Sequence, residues 1–469
     1  MHYDIRHPEK RFNDRIIMVG GHVTPLIYSV LAIFNEALRL KYQQTGDPKY
    51  LVANAEKRAL FPEDLIGFRR NKGLSGHVEM EGKTLLFKYN TGPSGHGMPA
   101  AAGEALALKR AGAGQVKIFA FEGEGGLTTG VTHETQNSAW GLGLDNLHFV
   151  VDWNNYGIDD RPFSDVIYGA PEDWFSAHGW RVFGTEQGSE WGPVTRAFLE
   201  AHLSPNPEMA PTATWVKTLK GRGYLVYNNK SHGAPHAANS DIFWQTKKPF
   251  AEKYGVQFAG FSQPAPASAV EFRAQTLANI QKVLDVMRGN PALLDYLANR
   301  LVDLGDSVPQ EISTFRLNTQ TNPLKDERLY DFQNYPADLY AKPGEKLANR
   351  NALAKWGAFI NAWCHQNYNR PLFIAASADL AESTNISGFA KAYGDFPGYG
   401  WYERNKNPEG VLLPQGITEF ATAGMLTGMA TVNFAENPEE EFNGFLGACS
   451  TYGSFVYLKY GSFRLFSQL

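Results

Sequence analysis

The sequence predicts an α/β protein in which parallel sheets are flanked by helices. Short apolar segments end in glycine or turn residues, a segment of helical length separates the first two, and the alternation resumes towards the C-terminus. Strand, helix and strand at this spacing form a βαβ unit, which makes the neighbouring strands parallel and the crossover right-handed. The 469 residues exceed what one compact core usually holds, so we expect two or three domains.

The first βαβ unit is predicted between residues 116 and 151. Residues 116–121 (VKIFAF) and 147–151 (LHFVV) have the apolar character of buried strands, and residues 130–144 between them are long enough for a helix. Residues 212–217 (TATWVK) predict a third strand, which is closed by glycines.

The middle of the chain has a different pattern. Apolar residues recur at helical spacing over residues 267–304, and Pro291 stands where a second helix could begin. Residues 305–345 contain several prolines with weak periodicity, which predicts an interdomain linker.

The C-terminal part returns to α/β character. Residues 372–375 (LFIA) predict a buried strand, and the Gly-, Ala- and Met-rich residues 418–430 predict a helix. Residues 449–469 are crowded with aromatic side chains.

Charge and cysteine content argue against several classes of partner. A net charge of −4 gives no electrostatic reason to expect nucleic acid or an anionic membrane. Cys364 and Cys449 are too few for a disulfide framework, which favours a reducing, cytoplasmic compartment. The apolar run at residues 26–34 is far shorter than a bilayer span, and we expect no signal peptide.

Two polar residues follow successive predicted strands. Glu124 lies in the glycine-rich stretch after the first strand, and Asn154 follows the second. Ligands bind beyond the carboxyl ends of the strands of open parallel sheets. A carboxylate and an amide oxygen suit a hard cation such as Mg²⁺ or Ca²⁺. The alternative is an ordinary strand-end turn with a solvated Glu124.

Residues 122–159 (EGEGGLTTGVTHETQNSAWGLGLDNLHFVVDWNNYGID) resemble the thiamine-diphosphate motif of transketolases, which opens with Gly-Asp-Gly and closes near an Asn. The resemblance implies that Glu124, Asn154 and the backbone carbonyl of Tyr156 bind the metal, and that Gly125 lies against the diphosphate. Glu124 stands where the family has Asp. The extra methylene matters because octahedral Mg²⁺ tolerates little misplacement of its ligands.

Four further stretches resemble transketolase segments in the same order along the chain. They are GHVTPLIY at 21–28, GHVE at 76–79, TGPSGHG at 91–97 and SHGAP at 231–235. The resemblance implies that His22, His77 and His232 line the channel around the diphosphate and thiazolium. Imidazole can donate to phosphate or shuttle a proton there. Taken singly, each histidine could instead be a loop or capping residue.

The third of these stretches also supplies predicted cofactor contacts. The resemblance implies that the carbonyl of Gly92 lies near the cofactor's exocyclic amine and that Ser94 also binds the cofactor. His96 stands where the family has Gln, and its role stays open.

Glu419 lies among apolar neighbours in residues 416–420 (GITEF). A carboxyl group in an apolar pocket is suited to share a proton with the aminopyrimidine of thiamine. By resemblance, Glu419 is the catalytic glutamate of the pyrimidine-binding domain. The alternative is a carboxylate that stabilises the start of a helix.

Residues 377–383 (SADLAES) resemble the family's Ser-Ala-Asp-Leu-Ala-Pro-Ser, and Arg350 precedes them at the family's spacing. The resemblance implies that Arg350 and Ser383 bind a sugar phosphate and that Asp379 lies at the dimer face beside the cofactor. A guanidinium can pair phosphate oxygens in bidentate fashion. Arg350 could also be an ordinary solvated helix residue.

Tyr452 and Phe455 follow residues 449–451 (CST) and resemble the aromatic side chains that pack on the cofactor pyrimidine in the family. Such an aromatic run could equally belong to a core.

The resemblance implies a thiamine-diphosphate-binding fold of two domains, the second incomplete. We expect a diphosphate- and metal-binding domain at residues 1–260, a helical and Pro-rich linker at 261–345 and part of a pyrimidine-binding domain at 346–469. The chain begins after an early family element, Ser-Gly-His-Pro-Gly, and lacks the family's third domain, so we expect a fragment or a split subunit.

The function implied is transfer of a two-carbon ketol unit between sugar phosphates of the pentose phosphate type. Thiamine diphosphate and Mg²⁺ or Ca²⁺ would be the cofactors, and the enzyme would be a homodimer. A phosphoketolase, a 2-oxoacid dehydrogenase E1 enzyme, and an inactive cofactor-binding homologue are the alternatives.

Overall fold

The computed structural model describes residues 1–233, 235–391 and 400–467, with the side chain of His22 excepted. The strands are β1 (Arg15–Met18), β2 (Ile118–Gly123), β3 (Leu147–Trp153), β4 (Arg181–Thr185), β5 (Thr212–Lys217), β6 (Phe373–Ser377), β7 (Leu412–Leu413) and β8 (Leu446–Ser450). The helices are α1 (Thr24–Thr45), α2 (Ala55–Arg58), α3 (Gly97–Arg110), α4 (Glu124–Leu127), α5 (Gly130–Gly141), α6 (Pro171–Ser176), α7 (Trp191–Leu203), α8 (Asp241–Gln245), α9 (Lys248–Tyr254), α10 (Ala269–Arg288), α11 (Pro291–Asp306), α12 (Asn349–Tyr368), α13 (Glu419–Met429) and α14 (Tyr460–Phe466). Within the described ranges, none of these helices has both the length and the apolar character to cross a bilayer.

The first sheet has five parallel strands in the order β1-β2-β3-β5-β4. The predicted βαβ unit is confirmed, because α5 connects β2 to its parallel neighbour β3. The predicted third strand coincides with β5. The carboxyl ends of β2 and β3 are level, since Gly123 is paired with Asp152. Residues that follow these two strands therefore meet at one edge of the sheet.

The second sheet has three parallel strands in the order β7-β6-β8. The strand predicted at 372–375 is β6, and the helix predicted at 418–430 is α13. Ser377 ends β6 and is paired with Ser450, which ends β8. This sheet thus also brings two strand ends together.

Helices α3 and α13 join the two sheets through a common core. The interior is continuous from Ile118 and Phe149 of the first sheet to Ile374 of the second, and Met425 of α13 lies within it. Buried alanines from α3 fill much of the space between the sheets. Small side chains allow the helix backbones to approach closely, which fixes the two sheets relative to each other.

The segment predicted as helical and Pro-rich contains α10 and α11. Pro291 is the first residue of α11, as predicted, and the side chain of Asn290 caps that helix by accepting from the Leu293 amide at 3.1 Å. Ala298 and Leu301 of α11 pack in a buried cluster with α1. Helix α11 extends to Asp306, and residues 307–345 continue as loops and short 3₁₀ turns.

Candidate functional site

Glu124 follows the last residue of β2 and begins the short helix α4. Its side chain is buried, with the residue 1% exposed, so the solvated-turn alternative does not hold. Its Oε2 atom accepts a hydrogen bond from the backbone amide of Asn154 at 3.0 Å. Its Oε1 atom is buried without a hydrogen-bond partner in the described part of the chain. Burial raises the pKa of this carboxyl group.

Asn154 lies one residue beyond β3 and is held in a fixed orientation. Its Oδ1 atom accepts from the Tyr156 amide at 3.0 Å, and its Nδ2 group donates to Asp152 at 2.9 Å. The carbonyl oxygen of Tyr156 accepts a hydrogen bond from the Lys220 ammonium at 3.1 Å. Side-chain and carbonyl oxygens predicted to bind a metal thus meet at one sheet edge, together with an ammonium group that the sequence analysis missed.

The donor atoms at this edge fit a hard divalent cation. A buried carboxylate oxygen without a partner is costly unless a cation or a donor compensates it. In the described residues, no group of three or more His, Cys, Asp or Glu side chains could hold a metal. A cation bound at Glu124 would therefore need amide and carbonyl oxygens as well, which Mg²⁺ and Ca²⁺ accept.

Gly125, the residue after Glu124, and Ser94, in the loop before α3, both carry little steric bulk. Gly125 is half-buried, and a Cβ atom there would lie 3.1 Å from the Phe163 ring. Ser94 is exposed in the loop before α3. Both are predicted cofactor contacts, and both stay predictions.

Glu122 anchors the loop that carries Gly92 and Ser94, and the sequence analysis missed it. Its carboxylate accepts from the amides of Gly95 and Gly123, each at 2.9 Å. Burial raises the pKa of Glu122 to about 7. The sequence signal that could have identified Glu122 is an acidic residue inside the apolar run VKIFAFEG. A buried carboxylate at the end of a strand needs hydrogen-bond donors such as these amides.

The predicted histidines occupy different surroundings. His77 is exposed and lies beside two glycines: a Cβ atom on Gly21 would lie 2.8 Å from its ring, and one on Gly92 would lie 3.6 Å from its Nδ1 atom. The structure thus brings together three of the stretches that resemble transketolase segments. His232 is exposed in the loop after a short 3₁₀ turn. The side chain of His22 lies outside the described residues.

Glu419 begins α13 and is 6% exposed. The Thr451 hydroxyl, which follows β8, donates to its Oε1 atom at 3.2 Å. Glu134 of α5 reaches the same helix start, where it accepts from the Ala421 amide at 2.9 Å. Burial raises the pKa of Glu134, and the nearby charge of Glu419 adds to this shift. Glu134 was not singled out from the sequence, because only the fold brings α5 against α13.

His96, whose role the sequence left open, packs between the two halves of the chain. Its ring lies 4.7 Å from that of Phe420, the residue after Glu419. Its Nδ1 atom is buried and has no hydrogen-bond partner among the described residues. Burial lowers the pKa of His96, so the neutral imidazole is favoured.

Asp379 and Tyr452 each lie two residues beyond the paired ends of β6 and β8. Asp379 is exposed and has a positive φ of 57°. Tyr452 and Phe455 are 45% and 41% exposed, with ring centroids 6.4 Å apart. These two rings are not core residues of the described chain and can contact a ligand or another surface.

Arg350 and Ser383 lie together at the surface. The Arg350 guanidinium, in the first turn of α12, donates to the Ser383 carbonyl at 3.4 Å. Both residues are exposed. The guanidinium contacts the Ser383 backbone, whereas the Ser383 hydroxyl donates to the Leu380 carbonyl at 3.2 Å. Phosphate binding by these two residues stays a prediction.

Comparison with known proteins shows similarity to transketolases. Residues 60–269 match the family model described as "Transketolase, thiamine diphosphate binding domain". A transketolase of Buchnera aphidicola is 24% identical over 466 residues, covering 96% of this chain and 58% of the relative. Transketolase 1 of Escherichia coli is 26% identical over 480 residues, covering 96% of this chain and 59% of the relative. The chain is thus similar to transketolases over most of its length, and residues 60–269 match the family's thiamine diphosphate binding domain.

Solved transketolase structures share the fold. The transketolase from Leishmania mexicana superimposes with a TM-score of 0.65 at 21% identity, and that from Campylobacter jejuni with 0.60 at 23% identity. Each match covers 99% of this chain and 60% of the other. The predicted α/β thiamine-diphosphate-binding fold is confirmed. The chain spans less than two thirds of the length of these transketolases and of the curated relatives it matches.

Proposed function

We propose that this chain is a member of the transketolase family and takes part in the transfer of a two-carbon ketol unit between sugar phosphates, using thiamine diphosphate and a divalent metal. The observation that carries this proposal is the buried carboxylate of Glu124 at the sheet edge beside Asn154, with one oxygen atom lacking a partner. The family match over residues 60–269 supports the choice of cofactor.

Glu124, Asn154 and the carbonyl of Tyr156 would hold Mg²⁺ or Ca²⁺ in this proposal. Their oxygens are the ligand types that hard cations prefer, and such an ion would supply positive charge to balance the diphosphate. Gly125, Gly92 and Ser94 would lie against the cofactor, where small residues permit close approach of the backbone.

Glu419 would hold or release a proton at the aminopyrimidine. Bound thiamine diphosphate supplies the electron sink for breaking a carbon–carbon bond next to a carbonyl. Glu419 suits its role because it is buried and retains a hydrogen bond from Thr451 that fixes its carboxyl group. Tyr452 and Phe455 would pack on the pyrimidine, with Asp379 nearby.

The histidines and Arg350 would contact the substrate. His77, with His22 and His232, would donate to phosphate or move a proton at the substrate oxygens. Arg350 and Ser383 are exposed and adjacent, which supports binding of a sugar phosphate at a solvent-accessible entrance.

We also propose a homodimer, a cytoplasmic location, and a division of the chain at residues 260 and 345. The exposed rings of Tyr452 and Phe455 support the dimer, because apolar surface of this kind is usually covered by a partner. The two free cysteines support a reducing compartment.

The test begins with calorimetric titration of thiamine diphosphate into the full chain, with and without MgCl₂. Turnover is then followed with xylulose 5-phosphate as donor and ribose 5-phosphate as acceptor. Metal-dependent binding and a two-carbon-extended sugar phosphate are expected. An acyl phosphate product would instead indicate a phosphoketolase. Cofactor binding without any turnover would indicate an inactive homologue, and either result would contradict the proposal.

A further inference from the structure

The Lys220 side chain contacts the backbone carbonyl of Tyr156, which is one of the proposed metal ligands. Its Nζ group donates to the carbonyl oxygen of Tyr156 at 3.1 Å and also to that of Gly157. It is half-buried, and its electrostatic neighbours of opposite charge are Glu124 and Asp152. An ammonium group therefore stands among the oxygens and carboxylates that would otherwise face a divalent cation.

The lysine is held in this position by the segment that follows β5. Thr218 donates its hydroxyl to Asp152, and its amide donates to the Trp153 carbonyl at 3.0 Å. Asp152 in turn accepts from the side chain of Asn154 at 2.9 Å. These contacts link the chain just before Lys220 to the strand end that carries Asn154. The backbone therefore directs the ammonium towards the proposed metal site.

We propose, on the basis of the proposed metal site, that Lys220 is a tethered cation that competes with the divalent metal for the Tyr156 carbonyl. An ammonium at contact distance on one carbonyl oxygen disfavours a divalent cation on the same oxygen, because their Coulomb repulsion is strong in a partly buried site. The metal binds only when the ammonium has moved away. Lys220 thus sets the metal affinity of this site.

The competition also accounts for the state of Glu124. Its Oε1 atom has no hydrogen-bond partner among the described residues, although Lys220 balances part of its charge. The ammonium bonds to the carbonyls and leaves this carboxylate oxygen open. Displacement of Lys220 by a metal would then satisfy Glu124 and the Tyr156 carbonyl together.

The test measures binding of Mn²⁺ alone to the full chain, from the electron paramagnetic resonance signal of free Mn²⁺. Lys220→Met removes the ammonium and keeps most of the side-chain length. We expect it to bind Mn²⁺ about 10-fold more tightly than the wild type, the size of effect typical of residues that contact metal ligands. Lys220→Arg keeps the charge and the donors and should bind as weakly as the wild type.

Lys217→Met is the matched control. It removes the same charge from the end of the same strand, but the Lys217 ammonium lies 5.8 Å from the Trp153 ring rather than on the metal-site carbonyls. We expect its Mn²⁺ affinity to stay within about twofold of the wild type. An equal gain in Mn²⁺ affinity in Lys217→Met and Lys220→Met would show that the loss of any nearby positive charge has this effect. That result would overturn the competition.

Failure of this inference can be told apart from failure of the metal site itself. Mn²⁺ binding that Glu124→Ala abolishes, but that Lys220→Met leaves unchanged or weakens, would keep the metal site and overturn the role of Lys220. Absence of saturable Mn²⁺ binding in the wild type, Lys220→Met and Lys220→Arg alike would overturn both. Matching circular dichroism spectra and urea midpoints would show that each variant is folded.

Discussion

Gly103 of α3 lies directly against the backbone of Met425 in α13. A Cβ atom on Gly103 would lie 1.8 Å from the Met425 carbonyl oxygen, and one on Gly428 would lie 2.1 Å from the carbonyl of Ala100. The contact is thus reciprocal, with a glycine from each helix facing the backbone of the other. It brings the helix that begins at Glu419 against the helix that follows the loop of Gly92 and Ser94, so it joins the two halves of the proposed site.

We expect Gly103→Ala to destabilise the protein by about 1–3 kcal/mol, because added volume in a close-packed interior forces the backbones apart. The gain in helix propensity, about 1 kcal/mol, offsets only part of this cost. The free energy of unfolding from urea titration is the measurement. Gly141→Ala is the control, since nothing lies within 4 Å of a Cβ atom at that helical position. Equal stability of the two variants would show that α3 and α13 are not in contact at Gly103.

Glu124 should show opposite effects on binding and on stability. Glu124→Gln keeps the shape but removes the charge, so we expect metal-dependent binding of thiamine diphosphate to weaken about 10-fold or more. The apo protein should be at least as stable as the wild type, because burial disfavours the charged carboxylate.

Calorimetry with MgCl₂ measures the effect of the Glu124 substitution on cofactor binding. Urea titration without MgCl₂ measures its effect on stability. Glu124→Asp restores the residue type of the family motif and should keep binding within about 10-fold of the wild type, since Mg²⁺ still receives a carboxylate. Wild-type affinity in Glu124→Gln would contradict a role for this charge in metal binding.

Glu419→Gln should separate chemistry from binding. We expect ketol transfer to fall about 100-fold or more, because Gln cannot exchange a proton with the aminopyrimidine. Thiamine diphosphate affinity should change by less than about threefold, since the amide can still accept from Thr451. Initial rates with saturating cofactor and a separate cofactor titration give the two numbers. A loss of affinity that accounts for the whole loss of rate would mean that Glu419 acts in binding only.

Strands with strong internal patterns could be predicted from the sequence, and short ones could not. The run TATWVK is apolar, β-branched and closed by glycines, and β5 occupies the predicted residues. Strand β1 has only the residues RIIM, and β4 contains a glycine and leaves its residues partly exposed, so neither differs enough from a loop in sequence. Their pairing with β2 and β5 comes from the tertiary fold.

Prediction of the site residues from the sequence has the same limit as prediction of the strands. The position of Glu124 and Asn154 at one sheet edge could be predicted because each follows a recognisable strand, and strand ends in a parallel sheet converge. Lys220 and Glu134 could not. Lys220 reaches the carbonyl of Tyr156 across 64 residues of chain, and Glu134 reaches the start of α13 across 287. Contacts between segments so far apart in the chain leave no local spacing or periodicity from which to predict them.

His148 should make stability depend on pH. It lies in β3, is 3% exposed, and its Nε2 atom is 2.8 Å from the Thr214 hydroxyl oxygen. Burial lowers its pKa from 6.5 to about 3, with a smaller contribution from His202. Below pH 6.5 the unfolded chain binds a proton at this position that the folded protein does not. Its contribution to stability is therefore complete above pH 6.5 and is lost progressively as the pH falls towards 3.

The expected loss is about 1.4 kcal/mol per pH unit below 6.5. His148→Gln removes the titrating group and keeps an amide that can bond to Thr214. We therefore expect the free energy of unfolding of the wild type to fall by about 1.4 kcal/mol more than that of the variant between pH 8 and pH 5.5. Urea titrations at both pH values measure the difference, and the carboxylates common to both proteins cancel in it. Parallel losses in the two proteins would mean that folded His148 accepts a proton near its ordinary pKa and is not enclosed by the folded protein.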